Sequence, residues 1–207
     1  MEEPKKSKPT LRARANKVKF LRCKNLIAVI ENPADLRNIG TIIRNVNALG
    51  AEKTYVVTSK PGFPSDWQDM RNKAKLSAVS ASAIKWSFVK VFNSTEACLA
   101  HLEQKGFVSV VTSPHIKGRK NAVLHEADYT KYKKLAVWFG SEARGISDLA
   151  VQHSEFCVNI PMCGIIESLN LGTSSGIVLY EITKQRRRFQ DRHWAKVVAK
   201  RAAKNAV

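Results

Sequence analysis

A short polar stretch stands at the start of an otherwise apolar segment of this chain. Residues 167–170 are Glu167, Ser168, Leu169 and Asn170, and small or apolar residues follow them up to residue 179. We expect the four residues to form the first turn of the final helix, which should begin near Ser168. Free N–H groups at a helix start bind polar or anionic groups, and Ser and Asn are preferred caps. Because unpartnered polar groups are costly to bury, the stretch indicates either a ligand-binding helix start or a well-capped core helix.

A second polar group follows the first hydrophobic run. Asn38 and Arg44 lie six residues apart near the start of a helix that is otherwise apolar, and Gly40 lies between them. An arginine among apolar neighbours commonly extends its charged head into solvent. In the functional interpretation, Arg44 instead reaches a phosphate or a hydroxyl, and Gly40 lets a backbone approach closely.

A third polar loop, residues 140–145, reads Gly-Ser-Glu-Ala-Arg-Gly. Its two glycines permit a tight turn, and Glu142 between them is either a reactive carboxylate or an ordinary exposed one. The loop matches neither GxxxxGK[ST] nor GxGxxG, so the common nucleotide-phosphate loops are not supported.

Hydrophobic runs alternate with helical patterns along the chain, which predicts an α/β fold with a mostly parallel sheet and helices on both faces. The predicted strands span residues 25–31, 53–58, 88–92, 107–112, 135–139 and 156–160. The predicted helices span residues 36–49 and 95–105, besides the final one. Residues 66–83 begin with a helical pattern and then become rich in Ser and Ala, so the end of this helix stays open. Residues 113–132 are polar and predict irregular structure with at most one edge strand. Ligands of such sheets bind beyond the carboxyl ends of the strands, and all three polar loops follow strands, so we expect them to converge.

Positive charge is concentrated at the two ends of the chain. Residues 1–24 carry nine Lys/Arg against two acids, and residues 184–207 carry nine against one, so the ends hold fifteen of the eighteen net charges. Cationic arms of this kind suit a polyanion such as nucleic acid. A solvated tail or a membrane-surface patch is the alternative, but the first arm has no clear amphipathic stripe, which favours nucleic acid.

Length and composition predict one soluble domain with extensions. We divide the chain into a basic extension at 1–24, a core domain at 25–183 and a basic helical extension at 184–207. No apolar run is long enough to cross a bilayer and the N-terminal region lacks the apolar core of a secretory signal, so a cytoplasmic location is expected. The four cysteines lack CxxC spacing and the five histidines are scattered, which predicts reduced thiols and no metal site.

Taken together, the three polar loops resemble the motifs of the SpoU/TrmH family of the SPOUT superfamily, which are S-adenosylmethionine-dependent RNA ribose 2′-O-methyltransferases. The similarity spans roughly residues 25–181. Residues 126–130 look most like the TrmH-type tRNA enzymes, although the C-terminal arm is shorter here. The matching residues, in chain order, are Asn32, Pro33, Asn38, Ile39, Gly40 and Arg44, then Phe139 to Gly145, then Ile160, Pro161, Met162, Glu167, Ser168, Leu169 and Asn170.

The resemblance implies a C-terminal deep trefoil knot, a homodimer and an RNA substrate, with a tRNA guanosine favoured over rRNA. It also implies two sets of site residues. The residues that would line the S-adenosylmethionine pocket are Thr112, Gly140, Ile160 and Leu169. The residues that would form the catalytic and substrate-facing set are Asn38, Arg44, Glu142, Ser168 and Asn170.

In such a reaction the protein chiefly aligns oxygen, methyl and sulfur and helps to remove a proton. A guanidinium is effectively always protonated, so Arg44 is expected to hold an RNA phosphate and stabilise developing alkoxide charge. Glu142 is expected either to accept the proton or to orient Arg44. Two rival functions stay open at the level of sequence: a catalytically silent RNA-binding protein, and a dinucleotide-dependent α/β enzyme, which is weakened by the missing glycine fingerprint.

Overall fold

The computed structural model describes residues 10–18, 21–60 and 67–205 of the chain. Its strands are β1 (Cys23–Glu31), β2 (Ala51–Val57), β3 (Phe88–Phe92), β4 (Val108–Thr112), β5 (Asn121–Val123), β6 (Leu135–Phe139) and β7 (Cys157–Asn159). Its α-helices are α1 (Leu11–Val18), α2 (Leu36–Leu49), α3 (Trp67–Asn72), α4 (Ala74–Val79), α5 (Thr95–Gln104), α6 (Asp148–Gln152) and α7 (Leu171–Asn205), with a 3₁₀ turn at Ala83–Trp86. The described strands form one parallel sheet in the order β3-β2-β1-β6-β4-β7-β5.

The centre of the sheet is built from the most continuous apolar runs. Every residue of β6 is buried, and β6 lies between β1 and β4. A parallel strand that is covered on both faces requires such a run, because the side chains that point to either face of the sheet are shielded from water. The predicted α/β class with a parallel sheet is therefore confirmed, and the predicted bounds of β3 and β6 are confirmed to the residue.

Helices cover both faces of the sheet over two hydrophobic cores. One core joins the sheet to α2 and α7, and the other joins it to α5 and α6. Helix α2 begins after Asp35, whose carboxylate accepts a 2.8 Å bond from the backbone N–H of Arg37, and it ends at Gly50 with φ of 78°. Both ends follow the usual rules for a cap and for a left-handed terminating glycine.

Two sequence predictions are corrected by the structure. The helical pattern read at residues 66–83 is instead α3, α4 and a 3₁₀ turn: Lys73 is extended, with ψ of 109°, between α3 and α4, and Ala81 and Ser82 adopt positive φ between α4 and the 3₁₀ turn. The final helix begins at Leu171 rather than near Ser168, so residues 167–170 form the loop before it. Helix α6 was not predicted. The edge strand expected within residues 113–132 is present as β5, at one edge of the sheet.

The carboxyl ends of four neighbouring strands form one row. Ile30 of β1 pairs with Phe139 of β6, Phe139 pairs with Thr112 of β4, and Thr112 pairs with Val158 of β7. The loops that leave these strands therefore start side by side. No helix of the described part of the chain is both long and apolar enough to cross a membrane.

Candidate active site

Three loops far apart in the sequence are joined by a chain of side-chain hydrogen bonds. The amide of Asn38 donates to the carboxylate of Glu142 across 104 residues. The amide of Asn170 donates to the Asn38 carbonyl oxygen at 3.2 Å across 132 residues. The other carboxylate oxygen of Glu142 accepts from the backbone N–H of Ala34 at 3.4 Å. The predicted convergence of the three loops is thus confirmed, and Asn38 is its central member.

Asn170 also caps the final helix. Its side-chain oxygen accepts bonds from the backbone N–H groups of Gly172 at 2.8 Å and Thr173 at 3.3 Å. These bonds satisfy two of the donors that a helix start leaves unpaired. Because its oxygen faces the helix and its amide nitrogen faces Asn38, one side chain connects the start of α7 to the loop after β1.

Arg44 lies on the exposed side of α2 and is left available for a ligand. The guanidinium makes no hydrogen bond or ion pair with any other residue that the structure describes. Its neighbour Asn45 fastens α2 to α7 instead, donating to the Gly172 carbonyl at 2.8 Å and the Ser175 hydroxyl at 3.0 Å. Glu142 bonds to Asn38 and not to Arg44, so the expectation that Glu142 orients Arg44 is not met in this structure. Sequence reasoning missed Asn45, whose polar type inside an apolar helix face was the available signal.

Two glycines of the motifs serve close packing. An added Cβ on Gly140 would lie 2.2 Å from the carbonyl carbon of Gly145 and 2.2 Å from the nitrogen of Ile146. The loop closes on itself there through paired backbone bonds between Ser141 and Gly145 at 2.8 and 3.0 Å. Gly40, by contrast, is pressed against the side chain of Val79, at 3.0 Å from its ideal Cβ. Gly40 therefore packs α2 onto α4, and the Ser80 backbone nitrogen lies 3.4 Å from the same Cβ position, so the backbone that Gly40 lets approach in this structure is the protein's own.

Glu31 forms hydrogen bonds with the end of the loop of residues 140–147. The sequence analysis did not identify it as a site residue. Its carboxylate is 1% exposed at the end of β1. It accepts bonds from the hydroxyl of Thr95 at 2.6 Å, and from the hydroxyl and backbone N–H of Ser147 at 2.6 and 2.8 Å. Ser147 in turn caps α6 by accepting from the Ala150 N–H at 3.2 Å. A buried carboxylate is stable only with such donors, and here they tie the end of the loop at Ser147 to β1 and α5.

The four residues expected to line a cofactor pocket border the same loops. Thr112 and Gly140 stand beside each other at the strand ends, and the Thr112 hydroxyl donates to the Trp138 carbonyl at 2.8 Å. Ile160 is half-buried against the core, and Leu169 is exposed. Between them, the backbone of residues 162–169 makes no hydrogen bond to any other described residue.

This arrangement suits a ligand with both apolar and polar groups. Ile165 and Ile166 of the same loop are exposed, at 98% and 68%, so apolar surface and free backbone donors and acceptors lie together. An adenosine joined to an amino acid would use both. The residues present therefore fit S-adenosylmethionine. The hydroxyl of Ser168 is exposed and bonds to no other described residue, so it too is free for a ligand. Within the described ranges, no group of three or more His, Cys, Asp or Glu residues could hold a metal ion.

Comparison with known proteins gives the same picture. The model of the SpoU rRNA Methylase family matches residues 25–180. A tRNA (guanosine(18)-2′-O)-methyltransferase of Thermus thermophilus is 27% identical over 175 residues, which cover 84% of this chain and 82% of the relative.

Two solved structures share the fold. The A. aeolicus TrmH/SpoU tRNA modifying enzyme superposes with a TM-score of 0.69 at 24% identity, over 95% of this chain and 98% of that one. The SpoU methyltransferase AviRb from Streptomyces viridochromogenes, in complex with the cofactor AdoMet, superposes with a TM-score of 0.66 at 26% identity, over 80% of this chain and 59% of that one.

Proposed function

Because this chain belongs to the SpoU rRNA methylase family, we propose that it transfers a methyl group from S-adenosylmethionine to a ribose 2′-hydroxyl of RNA, with a tRNA guanosine favoured over rRNA. The observation that carries the proposal is the hydrogen-bonded chain of Glu142, Asn38 and Asn170, which brings the three family motifs to one place. The preference for tRNA rests on the name of the Thermus thermophilus relative.

The residues have distinct roles in the proposed reaction. S-adenosylmethionine, when bound, would supply an electrophilic methyl group on a sulfonium, whose sulfur leaves as a neutral thioether. Thr112, Gly140, Ile160 and Leu169 line its pocket, largely through backbone groups. Arg44 holds an RNA phosphate and stabilises the charge that develops on the 2′-oxygen, since an exposed, unpaired guanidinium is a ready anion ligand.

Glu142 acts through Asn38. Its two oxygens are engaged by the Asn38 amide and the Ala34 N–H. We therefore assign it to orienting Asn38, and the 2′-hydroxyl proton leaves to a phosphate oxygen or to water. Asn170 fixes Asn38 from the other side, and the free hydroxyl of Ser168 contacts the methionine end of the cofactor or the ribose.

The test is a methyl-transfer assay with labelled cofactor on bulk tRNA and on rRNA, followed by digestion to nucleosides. Label on a 2′-O-methylated ribose is expected, and more of it in the tRNA reaction. Label found only on a base would refute the ribose assignment. Binding of S-adenosylmethionine in a calorimeter without any transfer to RNA would indicate a silent RNA-binding protein instead.

We further propose that the C-terminal segment forms a deep trefoil knot. The support is the contact between α7 and a segment well before it in the chain: the guanidinium of Arg186 donates to the carbonyls of Tyr129, Tyr132 and Lys133 at 3.0, 2.6 and 3.1 Å. Strand β7 also lies between β4 and β5, both of which precede it. Pulling the two termini apart with optical tweezers tests the knot, because a knotted chain extends to a shorter contour length than 207 free residues.

We propose that the protein acts as a homodimer. Exposed apolar side chains cluster on the loop before α7 and on its first turns, where a second copy would cover them and border the site; they are Ile165, Ile166, Leu169, Ile177 and Tyr180. Light scattering of the parent and of Ile166→Asp tests this, with a dimer expected for the first and a shift to monomer for the second. An active parent monomer at assay concentration would contradict the proposal.

We propose that the basic arms, residues 1–24 and 184–207, supply most of the RNA affinity and flank a core domain at residues 25–183. We also propose that the protein acts in the cytoplasm. The supporting family match ends at residue 180. Arg186 is not a free arm cation, because it is 6% exposed and bound to three carbonyls. Charge reversal belongs at the exposed Arg187 and Arg188, of which Arg187 donates to the Leu49 carbonyl at 2.5 Å.

Two variants test the arms. Because β1 begins at Cys23, the truncation should remove only residues 1–20. This truncation and the double reversal at Arg187 and Arg188 should each flatten the dependence of log affinity on log salt, by about 0.7–0.9 per lost phosphate contact. Unchanged slopes and affinities in both variants would make the arms solubilising tails.

A further inference from the structure

A basic and aromatic surface lies at the β3 edge of the sheet, away from the candidate active site. It consists of Lys53, Trp86, Phe88, Lys90 and His101, which we call the β3-edge surface. Lys53 pairs with Phe88 across β2 and β3, and its ammonium stands 5.5 Å from the centre of the Phe88 ring. The ammonium of Lys90 lies 3.5 Å from Nδ1 of His101. The positions at the starts of β2 and β3 place this surface at the amino ends of the strands, whereas the three motif loops leave the carboxyl ends.

The aromatic rings of this surface are left in solvent. Phe88 is 53% exposed and Trp86 is 47% exposed, whereas Val89 and Phe92 of β3 are buried. Both rings belong to residues 85–90, Lys-Trp-Ser-Phe-Val-Lys, in which a lysine stands at each end. Exposed rings flanked by cations are the usual components of a site for unpaired nucleotides.

Several lysines lie around His101 on this surface. Burial lowers the pKa of His101, and the positive charges of Lys90, Lys105 and Lys53 lower it further. Glu52 is the acid beside Lys53, at 3.3 Å. Three ammonium groups close enough to act on one imidazole repel each other, so a polyanion bound here would relieve that repulsion.

We propose that the β3-edge surface is a second RNA contact of this protein, where an unpaired base stacks on Phe88 or Trp86 and neighbouring phosphates bind Lys53 and Lys90. This inference rests on the proposed function for the identity of the substrate. A second copy of the chain is the less suitable occupant, because a two-fold contact would set the same lysines against each other. The surface positions the RNA and takes no part in the methyl transfer itself.

The experiment measures binding of fluorescently labelled tRNA to the full-length protein without cofactor, as a function of salt. Phe88→Ala should weaken binding about 5- to 160-fold, the range of losses for removing one base stack. Phe88→Tyr, which keeps the ring, should bind within about 2-fold of the parent. Lys90→Gln should flatten the salt slope by about 0.7–0.9. Lys120→Gln is the matched control, because Lys120 is exposed and precedes β5 at the opposite edge of the sheet; its slope should stay near the parent value.

Enzyme kinetics give the second readout. Phe88→Ala should raise the KM for RNA and leave kcat and the cofactor KM near the parent values, and an unchanged melting temperature shows that the fold is kept. Parental RNA affinity and salt slope in both Phe88→Ala and Lys90→Gln overturn the proposal, as does equal weakening by Phe88→Tyr and Phe88→Ala. Parent protein that binds RNA at this surface but methylates no ribose would refute the proposed function alone. Active parent with unaffected variants would refute this inference alone.

Discussion

Asn170 is expected to have two roles, capping α7 and positioning Asn38, and two different substitutions can separate them. Its oxygen caps α7 through Gly172 and Thr173, and its nitrogen supports Asn38. Asn170→Ala removes both interactions. Asn170→Ser keeps a good cap, but the shorter hydroxyl cannot span to the Asn38 oxygen, so it removes only the second.

The magnitudes follow from these contacts. Loss of an Asn cap costs about 1 kcal/mol of folding free energy, which lowers the melting temperature of a chain of this size by about 2–4 °C. The bond to Asn38 is exposed and 3.2 Å long, and a bond of this kind contributes about 0.5–1.5 kcal/mol. If that energy holds Asn38 and Glu142 in the reactive arrangement, its loss slows transfer about 2- to 12-fold.

Both variants are therefore expected to lose rate, but only the alanine variant should lose stability. The assays are thermal unfolding followed by circular dichroism and single-turnover methyl transfer at saturating cofactor and RNA, with the cofactor dissociation constant measured by calorimetry. If Asn170→Ser has the parent's transfer rate and melting temperature, the role of Asn170 in positioning Asn38 is refuted and Asn170 is only a helix cap. Parental stability of Asn170→Ala would refute the capping assignment.

Three further predictions concern the same site. Arg44→Ala should lower kcat about 100-fold or more while the cofactor dissociation constant, measured by calorimetry, stays within a few-fold; a rate loss that tracks lost cofactor affinity would show a different role. Gly140→Ala places a Cβ 2.2 Å from the Gly145 backbone, so the loop must shift, and cofactor affinity should fall more than about 10-fold; parental affinity in the same titration would contradict this. Glu31→Gln leaves three donors facing a single acceptor oxygen, so urea unfolding should show a loss of about 1–3 kcal/mol and the KM for the cofactor should rise more than the KM for RNA. An unaltered cofactor KM would limit Glu31 to a purely structural role.

The class of the fold was readable from hydrophobic pattern because that pattern is local. The runs at residues 88–92 and 135–139 have strand bounds confirmed to the residue, and the helix at residues 36–49 is likewise confirmed. The predicted bounds of helices were wrong where the backbone conformation of a few residues differs from what the local composition favours. Positive φ at Ala81 and Ser82 breaks a segment whose residues favour a helix, and Asn170 ends the loop rather than continuing a helical turn.

Residue types identified most of the candidate site residues, but not the hydrogen bonds between them. Asn38, Glu142 and Asn170 were named from their positions after strands and from resemblance to a family. Nothing in the sequence indicated that Asn38 would stand between the other two. Glu31 was also passed over, because a carboxylate next to a hydrophobic run is usually the exposed end of a strand, and only the donors from Thr95 and Ser147 show that it is buried and engaged.

By itself, the sequence determined the local elements, the identity of the polar groups and the concentration of positive charge at the ends, since each depends on residues close together in the chain. Only the tertiary structure decided which strands are neighbours, and hence that loops 104 and 132 residues apart share hydrogen bonds. It likewise decided that Arg186 is a buried anchor while Arg44 is free, and that Phe88 lies in solvent at a sheet edge. Strand order and burial arise from contacts between distant segments, whose energies depend on register and packing rather than on the type of any single residue.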